Sequence, residues 1–142
     1  AYARGIPTID MGTAFRVDRT GLVVGADGRV VIIGPGRPCL ACWGHIDPQR
    51  LRVEALSTED RAFEAAEGYI QGADVAQPSV IAFNTTVSGA AVVEFLRLVA
   101  GFADADPPLR LSFDFMTGAV RRNRLAVSVA CTICGAEEPR GT

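Results

Sequence analysis

Two Cys-x-x-Cys pairs, Cys39/Cys42 and Cys131/Cys134, hold every cysteine of this 142-residue chain. Two such pairs supply four thiolates, the ligand set of a closed tetrahedral zinc site. A closed site is structural, because a catalytic zinc keeps an open position. Between the pairs lie residues 43 to 130, 88 in all, so a shared ion would tie the middle of the chain to its end. Relative to a loop of about 18 residues, closing one this long costs about 1.4 kcal/mol more. Structural zinc contributes an apparent ~10–16 kcal/mol in small zinc domains, so the metal outweighs the loop. A redox dithiol is the rival reading. It fits less well: Trp43 follows its pair, whereas the thioredoxin-like pattern carries a tryptophan before the first cysteine. Unliganded thiols are the third reading. His45, close after Cys42, either replaces a thiolate or is a loop histidine, and the loop reading is preferred.

Other residue types offer less. Asp10 and Asp47 are candidate carboxylates, with a plain turn or loop role favoured. Ser57 and Ser79 are better explained as helix caps than as nucleophiles, since the single histidine shares no motif with either. Arg121, Arg122 and Arg124 form a basic cluster: a solvated strand end, or a docking patch for an acidic partner or an upstream domain. All 14 basic residues are arginine, which excludes a Walker-type phosphate lysine, a Schiff-base lysine and a lysine general base. A net charge of −2 singles out neither nucleic acid nor a membrane as partner. Hydrophobic residues make up 49%, enough for one domain with a real core. The opening residues Ala1 to Gly5 show no charged n-region or apolar h-region, and metal-holding thiols suit a reduced, cytoplasmic setting.

The elements that must position the cysteines follow from periodicity. Residues 6 to 18 read as an irregular strand. Asp27-Gly28 between Leu22–Val24 and Arg29–Ile33 predicts a hairpin turn. Gly34-Pro35-Gly36 then forces a loop into Cys39. Residues 43 to 56 read as a crossing loop. Ser57 to Asp60 resembles a capping box that opens a short helix, with Gly68 as its stop and a loop from Gly72 to Pro78 after it. Residues 79 to 100 predict a long helix, with Val80, Phe83, Val87, Ala91, Phe95 and Leu98 at helical spacing. Ile81, Val92 and Val99 widen its apolar surface, so it should be buried on more than one side. Asn84, Thr85, Thr86, Glu94 and Arg97 argue against a membrane span. After a break at residues 104–108, Leu111–Phe115 and Leu125–Val129 alternate as two strands around a Met116-Thr117-Gly118 turn.

The stretch Gly5-Ile6-Pro7-Thr8-Ile9-Asp10, the segment Pro35-Gly36-Arg37-Pro38-Cys39-Leu40-Ala41-Cys42, Pro78-Ser79-Val80, Asn84-Thr85-Thr86-Val87 and Cys131-Thr132-Ile133-Cys134-Gly135 together resemble the second half of the ThiF/MoeB family. These are the ubiquitin-activating-enzyme-like adenylyltransferases. The resemblance runs from about Ala1 to Gly135. It implies an α/β fold: the C-terminal part of a Rossmann-like domain, with β-hairpins, one long buried helix and a tetracysteine zinc knuckle at Cys39, Cys42, Cys131 and Cys134. It implies ATP- and magnesium-dependent adenylation of the C-terminal glycine of a ubiquitin-like or sulfur-carrier protein, with homodimerisation. No G-x-G-x-x-G follows a strand here, and Gly34-Pro35-Gly36 precedes a cysteine pair and not a helix. The chain is therefore expected to be a C-terminal, zinc-bearing portion, inactive alone, serving structure, carrier docking and dimerisation. The alternative is a non-catalytic, zinc-stabilised protein-interaction module.

Overall fold

The computed structural model describes residues 4–66, 80–101 and 110–135. Its architecture is a four-stranded antiparallel sheet in the order β1 (Thr8–Val17), β2 (Val23–Ile33), β3 (Arg110–Asp114), β4 (Ala119–Asn123). Two short helices, α1 (Pro48–Ala55) and α2 (Thr58–Ala66), and a long one, α3 (Ile81–Ala100), complete a mixed α/β structure. The expected helix stop at Gly68, the loop at 72–78, Ser79 and the break at 104–108 lie outside the described residues.

The first hairpin turns at residues 18–22 and not at Asp27-Gly28. Asp18 accepts the amides of Thr20 at 2.8 Å and Leu22 at 3.0 Å through one carboxylate oxygen, and Gly21 takes the left-handed φ of 86°. Asp27 and Gly28 sit inside one continuous 11-residue β2. Gly28 is there for close approach: a Cβ would fall 2.6 Å from Val87 Cγ2 and 3.0 Å from the Phe115 ring. Val30, Leu111 and Phe113 continue that face, and Val87 and Ala91 of α3 seal it. Phe83 stacks on Phe115 with ring centroids 4.3 Å apart, and the Thr13 hydroxyl donates to Asn84 Oδ1 at 2.7 Å, fixing α3 across β1.

The long helix is buried along one stripe only, at Val87, Ala91 and Glu94, and not on several sides. The sheet supplies a single layer, so Ile81, Val92, Phe95 and Val99 remain exposed among the described residues. By length and composition alone α3 could cross a membrane, but its buried stripe carries the ionisable Glu94. No side chain caps its N-terminus, while Gly101 ends it in the left-handed region.

Two further corrections concern loops. Residues 48–55 form α1 within the expected crossing loop, because Asp47 accepts the Gln49 amide at 2.9 Å and Pro48 is pre-set for the first turn. The predicted strand at 125–129 is not a strand. Asp114 accepts the Met116 and Thr117 amides, Gly118 turns at φ 74°, and pairing resumes at once with Ala119. The alternating pattern at 125–129 leaves Val129 almost wholly exposed in the approach to Cys131. α2 opens as expected: the Asp60 amide donates to Ser57 Oγ at 3.1 Å, and the Ser57 hydroxyl donates back to the Asp60 carboxylate at 2.7 Å.

Candidate metal centre

Each cysteine pair sits on a tight turn with the same closing bond. The Trp43 amide donates to the Cys39 carbonyl at 3.1 Å, and the Gly135 amide donates to the Cys131 carbonyl at 2.9 Å. In both, the residue four positions after the first cysteine closes the loop, which turns two sulfurs inward. Gly44 completes the first turn at φ 70°. Gly135 completes the second for a different reason: a Cβ there would collide with the Ser128 carbonyl and lie 2.7 Å from the Cys131 carbonyl oxygen. The first turn hangs from the end of β2, where Pro38 and Cys39 are buried.

The two turns meet with like facing like. Cys39 Sγ lies 3.6 Å from Cys131 Sγ, Cys42 Sγ lies 3.4 Å from Cys134 Sγ, and Cys39 and Cys42 are 3.9 Å apart. All four sulfurs fall within 4.8 Å of one another. An ion holding four thiolates tetrahedrally at about 2.3 Å sets the sulfurs about 3.8 Å apart. The observed edges straddle that value, so the four free thiols form a group able to hold a metal ion. Soft sulfur ligands in a tetrahedral array select zinc or iron over the hard cations.

The electrostatics favour a cation. The amides of Cys134 and Ile133, directed at the Cys131 sulfur, bring that thiol down to about 6. Burial, reinforced by the neighbouring thiols, pushes Cys134 up to about 12. The turn stabilises one thiolate, and further negative charge in so small a volume needs a counter-charge at its centre.

His45 takes no place among the sulfurs. It lines a cavity on the open face of the sheet with Arg29 and Arg110. Asp47 is a helix cap and Asp10 pairs with Arg29 at 3.2 Å, both structural roles. The basic cluster divides: Arg121 lines the cavity, Arg122 occupies the next β4 position on the opposite face, and Arg124 lies beyond the strand. The Arg110 guanidinium lies over the Trp43 ring, 5.5 Å from its centroid.

No family model matches the chain, and no curated protein matches it.

Proposed function

We propose that this chain is the zinc-bearing portion of a ThiF/MoeB-type adenylyltransferase, an enzyme that uses ATP to activate the C-terminal glycine of a ubiquitin-like or sulfur-carrier protein. Cys39, Cys42, Cys131 and Cys134 would hold a structural zinc in a reduced, cytoplasmic setting, joining the end of β2 to the chain segment beyond β4. With all four thiols engaged, none is left for a thioester or persulfide step. One observation carries the reading: the two motifs that bear the resemblance, 92 positions apart, meet in one group with tetrahedral sulfur spacing. The sheet and α3 would form part of a Rossmann-like domain. The exposed apolar face of α3 supports homodimerisation or cover by the rest of the enzyme, since soluble proteins rarely leave such patches bare.

Among the described residues no glycine-rich loop joins a strand to a helix N-terminus, and the Gly34–Gly36 loop leads into Cys39. The chain by itself therefore neither binds ATP well nor exchanges pyrophosphate. Elemental analysis of the purified chain should return about one zinc per molecule, and ATP–pyrophosphate exchange should be absent. Exchange by these residues alone would overturn the reading. The genomic reading frame decides between this and a non-catalytic zinc-stabilised interaction module, which the exposed α3 face equally favours. A strand, glycine-rich loop and helix encoded ahead of Ala1 support the enzyme, and their absence supports the module.

A further inference from the structure

The sheet has a second face, and its chemistry is unlike that of the face beneath α3. Antiparallel register places Gly12, Arg29, Ser112 and Arg121 in one row across all four strands. The adjoining row on the same face is Asp10, Val31, Arg110 and Asn123. Directly paired residues project to the same side, so three arginines from three strands share one surface. That surface is concave, with a cavity of about 380 Å³. Small residues, Gly12, Ala14 and Ala119, keep its floor low, and His45 reaches in from the loop after Cys42.

The carboxylates of this cavity are already engaged. Asp27 pairs with Arg16 at 2.7 Å, and Asp114 caps its own turn through the amides of Met116 and Thr117. Arg29 lies flat over Gly12, where a Cβ would come within 3.1 Å of its guanidinium, and its Nε donates to Asp10 at 3.2 Å. Arg110 differs. Its Nε is buried without a hydrogen-bond partner, and among the described residues no carboxylate pairs with it. Nε2 of His45 is buried and unpartnered in the same way. A guanidinium N–H can only donate, so what completes Arg110 must be an acceptor. With Arg29 beside it the local field is positive, so the acceptor best suited is an anion.

The geometry points to an oxyanion site in this cavity: Arg110, flanked by Arg29 and His45 and with Ser112 on the floor, would bind the phosphate or carboxylate group of a ligand. Arg110 is the principal donor, since its buried Nε has no hydrogen-bond partner while that of Arg29 already donates to Asp10. Its guanidinium is held in place by the Trp43 ring, which leaves the fork pre-oriented. Arg121 borders the far side of the cavity and supplies long-range attraction. The site stands independently of the adenylyltransferase reading, because Arg29, Arg110 and Ser112 are placed by the register of the sheet, whatever the cysteines hold.

Trp43 is the single tryptophan, so its emission reports on Arg110 directly. The metal-loaded full chain is titrated with inorganic phosphate and, separately, with acetate, each against chloride at matched ionic strength. A saturable change in Trp43 emission, with amide shifts at Gly12 and Ser112, is expected for one of them. Saturation by phosphate assigns a phosphate group, and saturation by acetate assigns a carboxylate. Arg110→Gln should weaken binding by about tenfold or more, about 1.4 kcal/mol, with the amide shifts as readout because the substitution itself alters Trp43. Ser112→Asp places a carboxylate inside the cavity and should abolish the response while the chain stays folded, which covers the case of an Arg110 variant that does not fold. If neither anion differs from chloride, or if Arg110→Gln binds as the parent chain does, the site does not exist.

Discussion

The four-cysteine group and the arginine-lined cavity are neighbours, bridged by the segment from Cys42 to His45, yet they are assembled by different rules. Each half of the four-cysteine group is a local turn. Its two sulfurs converge because one amide four residues on closes the loop, and only then do two such turns meet. The cavity has no local half. Arg29, Ser112 and Arg121 are neighbours only because β2, β3 and β4 pair in one register, and a shift by one residue would send all of them to the α3 face. A site made of short motifs is therefore sensitive to the ligand atoms and their turns. A site made of register is sensitive to whatever holds the sheet.

The largest effect should come from breaking the four-cysteine group. Cys131→Ser, or a chelator added to the parent chain, should abolish metal binding and lower the unfolding midpoint by more than any substitution in the cavity, because metal binding of this kind is folding free energy. Calorimetry with and without chelator measures it, and an unchanged midpoint would show that the sheet needs no tie. Next in size is Gly135→Ala. The added Cβ collides with the Ser128 carbonyl, so the second turn must open. Metal affinity should fall by about tenfold or more in competition with a chromophoric chelator, as it does when a site's supporting shell is disturbed. All four sulfurs remain present in that variant, so the loss would isolate the contribution of the turn.

This contrast explains what was legible in the sequence. The cysteines were legible because spacing within each pair encodes the turn. α2 and the body of α3 were legible because capping and helical period are local. The 18–22 turn was missed in favour of Asp27-Gly28 because a glycine marks either a turn or a close approach, and only Val87 and Phe115 reveal which. α1 was missed although Asp47-Pro48 carries an ordinary start signal, which the surrounding arginines obscured. β4 was displaced to residues 125–129 because hydrophobic alternation outweighed the tight turn, whereas the true strand, Ala119–Asn123, is polar as an edge strand commonly is. The cavity was invisible. Arg29 and Arg110 carried no motif, and Arg121 read as part of a run of like charges.

A substitution beneath the sheet should separate the two regions more gently. Gly28→Val forces side-chain atoms into the space of Val87 and Phe115, costing about 1–3 kcal/mol by overpacking. Chemical denaturation should show that loss. The metal affinity of the variant should stay close to that of the parent chain, because the four cysteines lie outside the core cluster that α3 joins. If affinity falls in step with stability, the two regions are one cooperative unit and the distinction between them fails.

The smallest effect is a titration, and it reads the cavity alone. His45 is the single histidine. Burial holds its imidazole below the ordinary value of 6.5, and the positive charges of Arg29 and then Arg110 act in the same direction, with Asp10 opposing. The unfolded chain would bind this proton near 6.5 while the folded chain still refuses it. The contribution to stability is therefore full above that pH and is lost as pH falls through the lower, folded value. In the parent chain the imidazole resonances should shift with a midpoint below 6.5. Arg110→Gln should move that midpoint upward by removing one of the repelling charges. An anion bound at Arg110 should do the same without any mutation, since it cancels the same field. A midpoint indifferent to both would mean that His45 and Arg110 do not share an environment, and the cavity would then be a surface feature without a common electrostatic purpose.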